Sequence, residues 1–383
     1  MPDGEVLYLL ADEKSGLPDS YVIRYTYAVI RPRGVSPGTL KAKLHGIRIG
    51  LTLLRHLGVD IEDRIATGRF LDREELGALH DRCLGRADGE GRISGRAASH
   101  FYSTFVDYFA FRTEEVVQYA PKHDHAMIAA ARMDFLKRAG RHRPRGADGV
   151  QPNERLGLEH SARSLLLDVI RPGHPGNPFQ KSLQIRNHAI ILLTYTLGLR
   201  SGEEFSLKRY DYDDRSNPAT ITIHRRPDDP DEKRPEPALV KTYGRTLPID
   251  GELRQALDAW LLERRDRGRF PSAKRHPYIF TSRTGDPISL RRGRQIYEQL
   301  RSAHPELGGL MQHVLRHDAN DRWTEDDEAN GTDPDRSRRE RTYAFGWSDT
   351  SKMPEVYGKA STRRSAAERI ARAQRKVTKG TET

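Results

Sequence analysis

The sequence predicts a mainly α-helical protein with a small β-sheet, an α+β fold divided into two domains. The first half carries apolar residues at helical spacing, two β-like runs lie together in the second half, and a basic Gly/Pro-rich stretch separates the halves. With 383 residues, the chain is too long for one average domain. The predicted parts are an N-terminal extension (1–20), a helical domain (21–140), a linker (141–154) and a second domain with a C-terminal tail helix (155–383).

Four helices are predicted in the first half. Residues 39–57 carry leucine and isoleucine at spacings of three and four, which indicates a helix with one buried face. Asp72 can cap a second helix that ends at about Leu84. A third helix spans about 98–112 and a fourth about 123–139. The fourth predicted helix contains Met127, Ala130, Ala131 and Phe135. Four helices with short connections are typical of a compact bundle.

The second half mixes helices with one hairpin. Two β-like runs, 219–224 and 238–249, flank a Pro/Asp-rich loop at 225–237 and predict a hairpin with a long tip. The hydrophilic stretch 318–341 predicts a surface insertion. Helices are predicted at 156–170, 186–197, 252–267, 290–303, 307–323 and 362–377.

The composition favours a polyanionic partner. The formal net charge is +11 and the pI is about 9.7, as expected of a protein that binds nucleic acid. An anionic membrane surface is the alternative, but no strongly apolar helix with a basic face stands out. The N-terminus has no signal-peptide pattern, and no apolar run approaches the length of a membrane span. We therefore expect a cytoplasmic, nucleoid-associated protein with no membrane partner.

Five short stretches in the second half carry side chains suited to phosphodiester chemistry. They are Gly-Leu-Arg at 198–200 with Glu203, Lys241 in Val-Lys-Thr-Tyr-Gly-Arg, His313-Val-Leu-Arg316-His, Gly346-Trp347, and Tyr357. A phosphodiester repels nucleophiles, and its transition state concentrates charge on the non-bridging oxygens. An enzyme without a metal must place positive donors there, and the planar fork of arginine holds two oxygens at once. Arg200 and Arg316 are the candidates, whereas most other arginines are expected on the surface.

Three further side chains are candidates for the same chemistry. Lys241 lies in the predicted hairpin, and a lysine near a phosphate can protonate a leaving oxygen. Tyr357 is the candidate nucleophile. His313 is suited to phosphate binding or proton transfer. The alternatives are a solvated edge lysine and a packed tyrosine.

The pair His313 and His317 also raises the question of a metal. The two residues lie four apart on one helix face, a spacing that zinc ligands use. However, no glutamate follows His313 as a zinc-protease motif requires, and Cys83 is the single cysteine. We therefore expect no metal and no cofactor.

In this order, the five stretches resemble the active-site motifs of the tyrosine recombinase (phage integrase) family over about residues 155–377. Residues 191–207 are similar to its first conserved box, with Arg200 and the acidic partner Glu203. Lys241, followed by Thr-Tyr-Gly-Arg-Thr-Leu-Pro-Ile, matches the family's β-hairpin lysine. The remaining matches are His313-Val-Leu-Arg316-His317 to the His-x-Leu-Arg-His box, Phe345-Gly346-Trp347-Ser348 to the Leu-Gly-His/Trp position, and Tyr357 to the nucleophile.

The resemblance implies a site-specific DNA recombinase that forms a C-shaped clamp on double-stranded DNA, with a helical core-binding domain opposite a mixed α/β catalytic domain. Tyr357 would form a 3′-phosphotyrosyl link without metal or ATP. The phosphoryl oxygens would be held by Arg200, Arg316 and His313, with Trp347 beside them and His317 in support. Lys241 would protonate the leaving 5′-oxygen.

The resemblance also implies a synaptic tetramer on DNA, in which the tail helix 362–377 docks on a neighbouring subunit. Two rival interpretations are a non-catalytic DNA-binding protein derived from a recombinase and a type IB-like topoisomerase. The first predicts the loss of a catalytic residue, and none is lost. The N-terminal helical domain and the tail helix favour a recombinase over a topoisomerase.

Overall fold

The computed structural model of the protein describes residues 7–86, 89, 91–145, 157–226, 229–265, 270–351 and 369–370. The chain divides into two compact units, Met1–Pro152 and Asn153–Thr383. Both are rich in helix, and the second contains a three-stranded antiparallel sheet, which confirms the predicted α+β fold class. Within the described ranges, no helix is long and apolar enough to cross a membrane.

The first unit is a set of helices around an aromatic and aliphatic core. Its α-helices are α1 (Ser20–Tyr25), α2 (Pro37–His56), α3 (Ile61–Ala66), α4 (Arg73–Leu84), α5 (Gly95–Tyr119) and α6 (His125–His142). Asp72 caps α4 as predicted, because its carboxylate accepts from the Glu75 backbone N–H at 2.9 Å while Glu75 accepts from the Asp72 N–H. Helices α2 and α5 pack closely at Gly50, where a Cβ atom would overlap the Phe105 ring.

The small and apolar residues of the fourth helix do not all face the core. Met127 is 65% exposed and Ala130 is also exposed. Phe135 and, one turn further, Ala139 are the buried residues of α6, and Ile128 and Ala131 pack partly against the same core. The core-facing side of α6 therefore runs through Ile128, Ala131, Phe135 and Ala139, at helical spacing.

The second unit packs its helices around a small sheet. Its elements are α7 (His160–Val169), α8 (Gln184–Leu197), α9 (Ser201–Phe205), β1 (Tyr212–Asp213), β2 (Ala219–Ile223), β3 (Arg245–Ile249), α10 (Gly251–Asp258), α11 (Leu290–Ala303), α12 (Gln312–Asn330) and α13 (Pro334–Phe345). The strand order is β1-β2-β3, and Ile221 faces Leu247 across the β2–β3 pair. Helix α8 is buried almost all round, as befits the centre of this unit.

The second predicted β-run, 238–249, is strand only from Arg245 onwards. Ala238, Val240 and Thr242 are buried in alternation, so the sequence carries a strand-like pattern. Polar groups of this segment have partners outside the ladder: the Ala238 N–H donates to Glu232 and the Tyr243 N–H donates to the Gly346 carbonyl. Lys241 consequently lies in an extended loop before β3 and not within a hairpin strand.

The predicted surface insertion at 318–341 is wrong. Helix α12 continues through it to Asn330, and α13 follows almost directly. The Asp318 side chain is fully buried, since it accepts from the Leu158 N–H at 3.0 Å and from Arg163 Nε at 2.7 Å. Arg341 is likewise buried and pairs with Asp327. The buried polar groups of this stretch are thus satisfied by ion pairs and backbone donors, while most of residues 326–340 are exposed.

Other boundaries in this unit shift for identifiable reasons. Helix α7 begins at His160 and not at 156, because Gly157 and Leu158 run extended and donate their N–H groups to Asp321 and Asp318. Helix α12 begins at Gln312, after a 3₁₀ turn at Pro305–Leu307. The predicted tail helix 362–377 lies outside the described residues, apart from the helical Arg369 and Ile370.

The connection between β2 and β3 is fastened by buried charges. Lys208 Nζ lies 2.5 Å from Asp229 and 2.8 Å from Asp231, and Arg226 pairs with both oxygens of Asp211. We call these five residues the loop anchor. The side chain of Lys208 is 2% exposed and that of Asp229 is 7% exposed. The Pro/Asp-rich tip is therefore held against the unit near the start of β1.

Candidate active site

The turn between α8 and α9 places Arg200 and Glu203 at the edge of the second unit's core. Gly198 ends α8 with a φ of +60°, and a Cβ atom there would lie 2.7 Å from the Phe345 ring. Arg200 then caps α9, and its backbone N–H donates to the Glu203 carboxylate at 2.9 Å. Glycine is therefore required where this turn meets Phe345.

Three arginines surround the buried carboxylate of Glu203. Arg245 Nη2 lies 3.1 Å from Glu203 Oε2, Arg200 Nη1 lies 3.5 Å from Oε1, and Arg316 Nη1 lies 3.9 Å from Oε2. Thr242 Oγ1 also donates to this carboxylate. We call Arg200, Glu203, Arg245 and Arg316 the arginine cluster. It contains three cations and one carboxylate, so it carries excess positive charge.

Arg316 and Arg200 converge although 116 positions separate them in the sequence. Arg316 Nη2 donates to the Phe345 carbonyl at 2.9 Å, and Arg200 Nη1 lies 3.5 Å from the same oxygen. A further donation, from Arg316 Nη1 to the Gly198 carbonyl at 2.6 Å, ties α12 to the α8–α9 turn. The Arg316 side chain is 1% exposed, whereas that of Arg200 is 32% exposed. Arg200 is therefore the arginine through which the cluster reaches the surface.

Glu203 and its neighbour Glu204 are both buried but have opposite electrostatic environments. Burial raises the pKa of a carboxyl, yet for Glu203 the charges of Arg245 and Arg316 and the hydrogen bonds from Arg245 and Thr242 outweigh it and lower the pKa. Glu204 has no such cation, since its partners are Thr194 at 3.0 Å and Gln312. Burial therefore raises the pKa of Glu204 well above its ordinary value. The two neighbouring carboxyls are therefore shifted in opposite directions from their ordinary pKa.

The two histidines lie one turn apart on α12. Their rings meet edge to face, with centroids 4.5 Å apart, and His317 is buried while His313 is exposed. Arg316 lies three positions after His313, so both side chains point toward the same side of the helix. No group of three His, Cys, Asp or Glu side chains in the described part of the chain has the arrangement of a metal site.

Trp347 closes the cluster on the α13 side. Its ring stacks on Phe345 with centroids 5.1 Å apart and planes 14° apart, and the Arg316 guanidinium carbon lies 5.8 Å from the Trp347 ring centre. Trp347 is 4% exposed. Gly346, which ends α13 with a φ of +62°, makes this reversal of the chain. The Arg316 guanidinium therefore lies beside two stacked aromatic rings and donates to the Phe345 carbonyl.

One predicted residue, Lys241, lies beside the cluster and not in it. Lys241 is exposed in the loop before β3, next to Thr242, which does contact Glu203. Tyr357 lies outside the described residues. Arg245 is the member that the motif comparison did not single out, although it stands in the quoted Arg-Thr-Leu-Pro-Ile run. Its position as the first residue of a buried strand was the available signal, because an arginine there requires a buried partner.

Residues 165–327 match the profile of the Phage integrase family. The chain carries a phage integrase family domain. This integrase domain contains Arg200, Glu203, Lys241 and the His313–His317 stretch, while Trp347 and Tyr357 follow it. No curated protein sequence matches the chain significantly.

Several solved structures are distantly similar to this chain. XerH site-specific recombinase bound to palindromic difH substrate is 15% identical, with 78% of each chain covered and a TM-score of 0.44. XerA recombinase is 15% identical over 91% of this chain and 97% of that chain, with a TM-score of 0.40. Tn1549 transposon integrase with circular intermediate DNA is 15% identical over 82% and 94%, with a TM-score of 0.41. Likenesses this distant support no inference about this chain.

Proposed function

We propose that the protein is a site-specific DNA recombinase that cuts and rejoins strands through a phosphotyrosyl intermediate. The observation that carries the proposal is the convergence of Arg200 and Arg316 on one carbonyl and one carboxylate, inside a phage integrase family domain. Three cations against one carboxylate leave positive charge for an anion. A scissile phosphate with two non-bridging oxygens fits two arginine forks.

The proposed reaction begins with attack of the Tyr357 oxygen on phosphorus. A P–O bond to tyrosine forms, the bond from phosphorus to the 5′-oxygen breaks, and the product is a 3′-phosphotyrosyl link with a free 5′-hydroxyl. Arg200, Arg316 and His313 hold the phosphoryl oxygens as charge develops. Lys241 gives its proton to the 5′-oxygen. A 5′-hydroxyl from a partner strand then reverses the step, and since the link retains the phosphodiester energy, neither ATP nor a metal takes part.

The proposed partners are double-stranded DNA and further copies of this chain. The net charge of +11 favours DNA. We propose that the tail helix 362–377 docks on a neighbouring subunit in a synaptic tetramer. In support, Ile370 of this segment is 59% exposed and so is available for burial.

The proposal is tested by trapping the protein on fragmented DNA of its own source, in EDTA and without ATP. Denaturation and protease digestion leave a tyrosine-linked peptide on the cleaved 3′ ends, and sequencing these ends gives the target. We expect one recurrent sequence, with the peptide mapping to Tyr357. Adducts spread over unrelated sequences indicate a topoisomerase, and specific binding without an adduct indicates a non-catalytic DNA-binding protein.

Tyr357→Phe provides the matched control. It retains the ring and removes only the attacking oxygen, so we expect unchanged DNA binding in a mobility-shift assay and complete loss of the adduct. Tyr343→Phe should retain the adduct, because the Tyr343 hydroxyl donates to the Thr246 carbonyl at 2.9 Å. An adduct that persists in Tyr357→Phe refutes the assignment of the nucleophile.

A further inference from the structure

Arg245 differs from the partly exposed Arg200 in what it can reach. Its side chain is 1% exposed, and all three of its nitrogens have internal acceptors. Nε donates to the Ala344 carbonyl at 2.8 Å, Nη2 to Glu203 at 3.1 Å, and Nη1 is shared at 3.4 Å by Glu203, Thr242 and the Tyr243 carbonyl. Arg245 therefore cannot touch a substrate phosphate without leaving these partners.

These contacts join two segments that meet at the site. One is the loop before β3, in which Lys241 precedes Thr242 and Tyr243. The other is the turn from Ala344 to Trp347. The Tyr243 N–H donates to the Gly346 carbonyl at 3.3 Å. A Cβ atom at position 346 would lie 2.5 Å from Arg245 Nη1 and 3.0 Å from Thr242 Cβ, so the two segments are in close contact.

The loop itself has little else to fix it beside Lys241. Lys241 and Tyr243 are exposed, and this part of the loop lies outside the β2–β3 ladder. Thr242 is the buried residue between them, and its hydroxyl donates to the same Glu203 carboxylate that Arg245 binds. Glu203, Thr242 and Arg245 thus form one hydrogen-bonded group. Thr242, a member of this group, directly follows Lys241.

We propose that Arg245 is a positioning residue that fixes the Lys241 loop against the Glu203 carboxylate, so that the lysine is aimed at the leaving oxygen. This inference rests on the proposed function, in which Lys241 protonates the 5′-oxygen. Arg245 takes no proton and binds no phosphate in this scheme. Its loss lets the loop move and misdirects Lys241, which slows the step that needs the proton.

A duplex with sulphur in place of the bridging 5′-oxygen isolates this step. The tyrosine oxygen still forms its bond to phosphorus, but the P–S bond breaks and a thiolate leaves. A thiol has a pKa of about 8.5, far below that of an alcohol, so the thiolate leaves without a proton. A variant that is slow only because Lys241 is misplaced should therefore recover on the sulphur duplex.

Arg245→Lys is the main variant, because it keeps the charge and loses the fork. We expect it to cleave the oxygen duplex about 10²-fold more slowly than wild type, as for a catalytic group displaced by about 1 Å. On the sulphur duplex it should approach the wild-type rate, as Lys241→Ala should. Arg200→Ala should remain slow on both, since it acts on the phosphoryl oxygens.

Two controls separate positioning from stability. Arg234→Met removes another buried arginine of the same β2–β3 connection, one that pairs with Glu232 and donates to the Phe205 and Ile288 carbonyls. Any slowing in Arg234→Met should be equal on the two duplexes. Thr242→Val removes only a hydroxyl beside Lys241. It should slow cleavage of the oxygen duplex less than Arg245→Lys does, and the sulphur duplex should relieve this slowing too. Thr242→Val therefore provides the test if Arg245→Lys does not fold.

The outcomes are distinguishable. Equal slowing of Arg245→Lys and Thr242→Val on both duplexes, with Lys241→Ala relieved by sulphur, overturns the positioning role alone. Normal rates for Arg245→Lys on both duplexes overturn it as well. If sulphur does not relieve Lys241→Ala while the Tyr357 adduct still forms, the acid role of Lys241 and the positioning role fall together. Absence of the Tyr357 adduct in wild type refutes the proposed function itself.

Discussion

The loop anchor and the arginine cluster are both built from buried charges near the same connection, yet their charge balance is opposite. In the loop anchor, Lys208 and Arg226 face the three carboxylates Asp211, Asp229 and Asp231. In the arginine cluster, three cations surround Glu203 alone. A buried cation with a full set of carboxylates is satisfied within the protein. A cluster with two cations in excess is suited to an external anion. This difference in charge balance assigns a structural role to the loop anchor and a functional role to the arginine cluster.

Breaking the arginine cluster should have the largest effect on catalysis. Arg200→Ala and Arg316→Ala should each raise the activation free energy of single-turnover cleavage by about 3–4 kcal/mol, the usual loss for one transition-state donor. Arg200→Lys and Arg316→Lys should also cleave slowly, because an ammonium does not reproduce the bidentate fork. Lys208→Met removes a cation from the loop anchor and should leave cleavage of the folded protein near wild type. If Lys208→Met slows cleavage as much as Arg316→Ala, the functional difference between the two clusters is refuted.

Breaking the loop anchor should instead affect stability. Lys208→Met leaves Asp229 buried without its cation, and the loss of one partner of a buried pair costs about 3–5 kcal/mol. Arg200→Ala should cost less than about 1 kcal/mol, because its side chain is partly exposed and solvent screens the pair. Denaturant unfolding of the second unit measures both. Equal losses of stability in Lys208→Met and Arg200→Ala would contradict the structural role of the loop anchor.

The adjacent carboxyls Glu203 and Glu204 sharpen the comparison through pH. The lowered pKa of Glu203 means that its stabilisation is present above the ordinary value of 4.5 and is lost as pH falls through the folded pKa. The raised pKa of Glu204 means that burying its ionised form costs folding free energy. This cost is absent below 4.5 and appears as pH rises. Glu203→Gln should therefore lower Tm at pH 7, and Glu204→Gln should raise Tm at pH 7 but not at pH 4. Shifts of the same sign at pH 7 would show that the arginines do not set the difference.

Much of the fold could be predicted from the sequence because local signals agreed with the tertiary structure. Helix α11 was predicted at its observed bounds, and the cap of α4 at Asp72 follows from one short-range hydrogen-bond pattern. The convergence of Arg200 and Arg316 follows only from the order of the motifs, since no local pattern brings residues so far apart together. The assignment of catalytic roles to these residues stays a prediction.

The failures share one physical cause, which is burial of polar groups by partners distant in sequence. Asp318 reads as surface in the sequence, but Arg163 and the Leu158 N–H satisfy it inside the unit. Arg245 was not singled out in the sequence, and the Glu203 carboxylate that pairs with it in the core lies 42 positions earlier. Hydrophobic periodicity carries no information about such pairs.

The central claim is that the excess positive charge of the arginine cluster is matched to the negative phosphate. A duplex in which a methyl group replaces one non-bridging oxygen of the scissile phosphate tests this most directly, because that linkage is neutral. Single-turnover cleavage of both duplexes is measured for wild type and Arg316→Ala. We predict that Arg316→Ala loses most of its defect on the neutral linkage, since its transition state carries one negative charge fewer than that of the phosphate. An equal defect on the charged and neutral duplexes would contradict the claim.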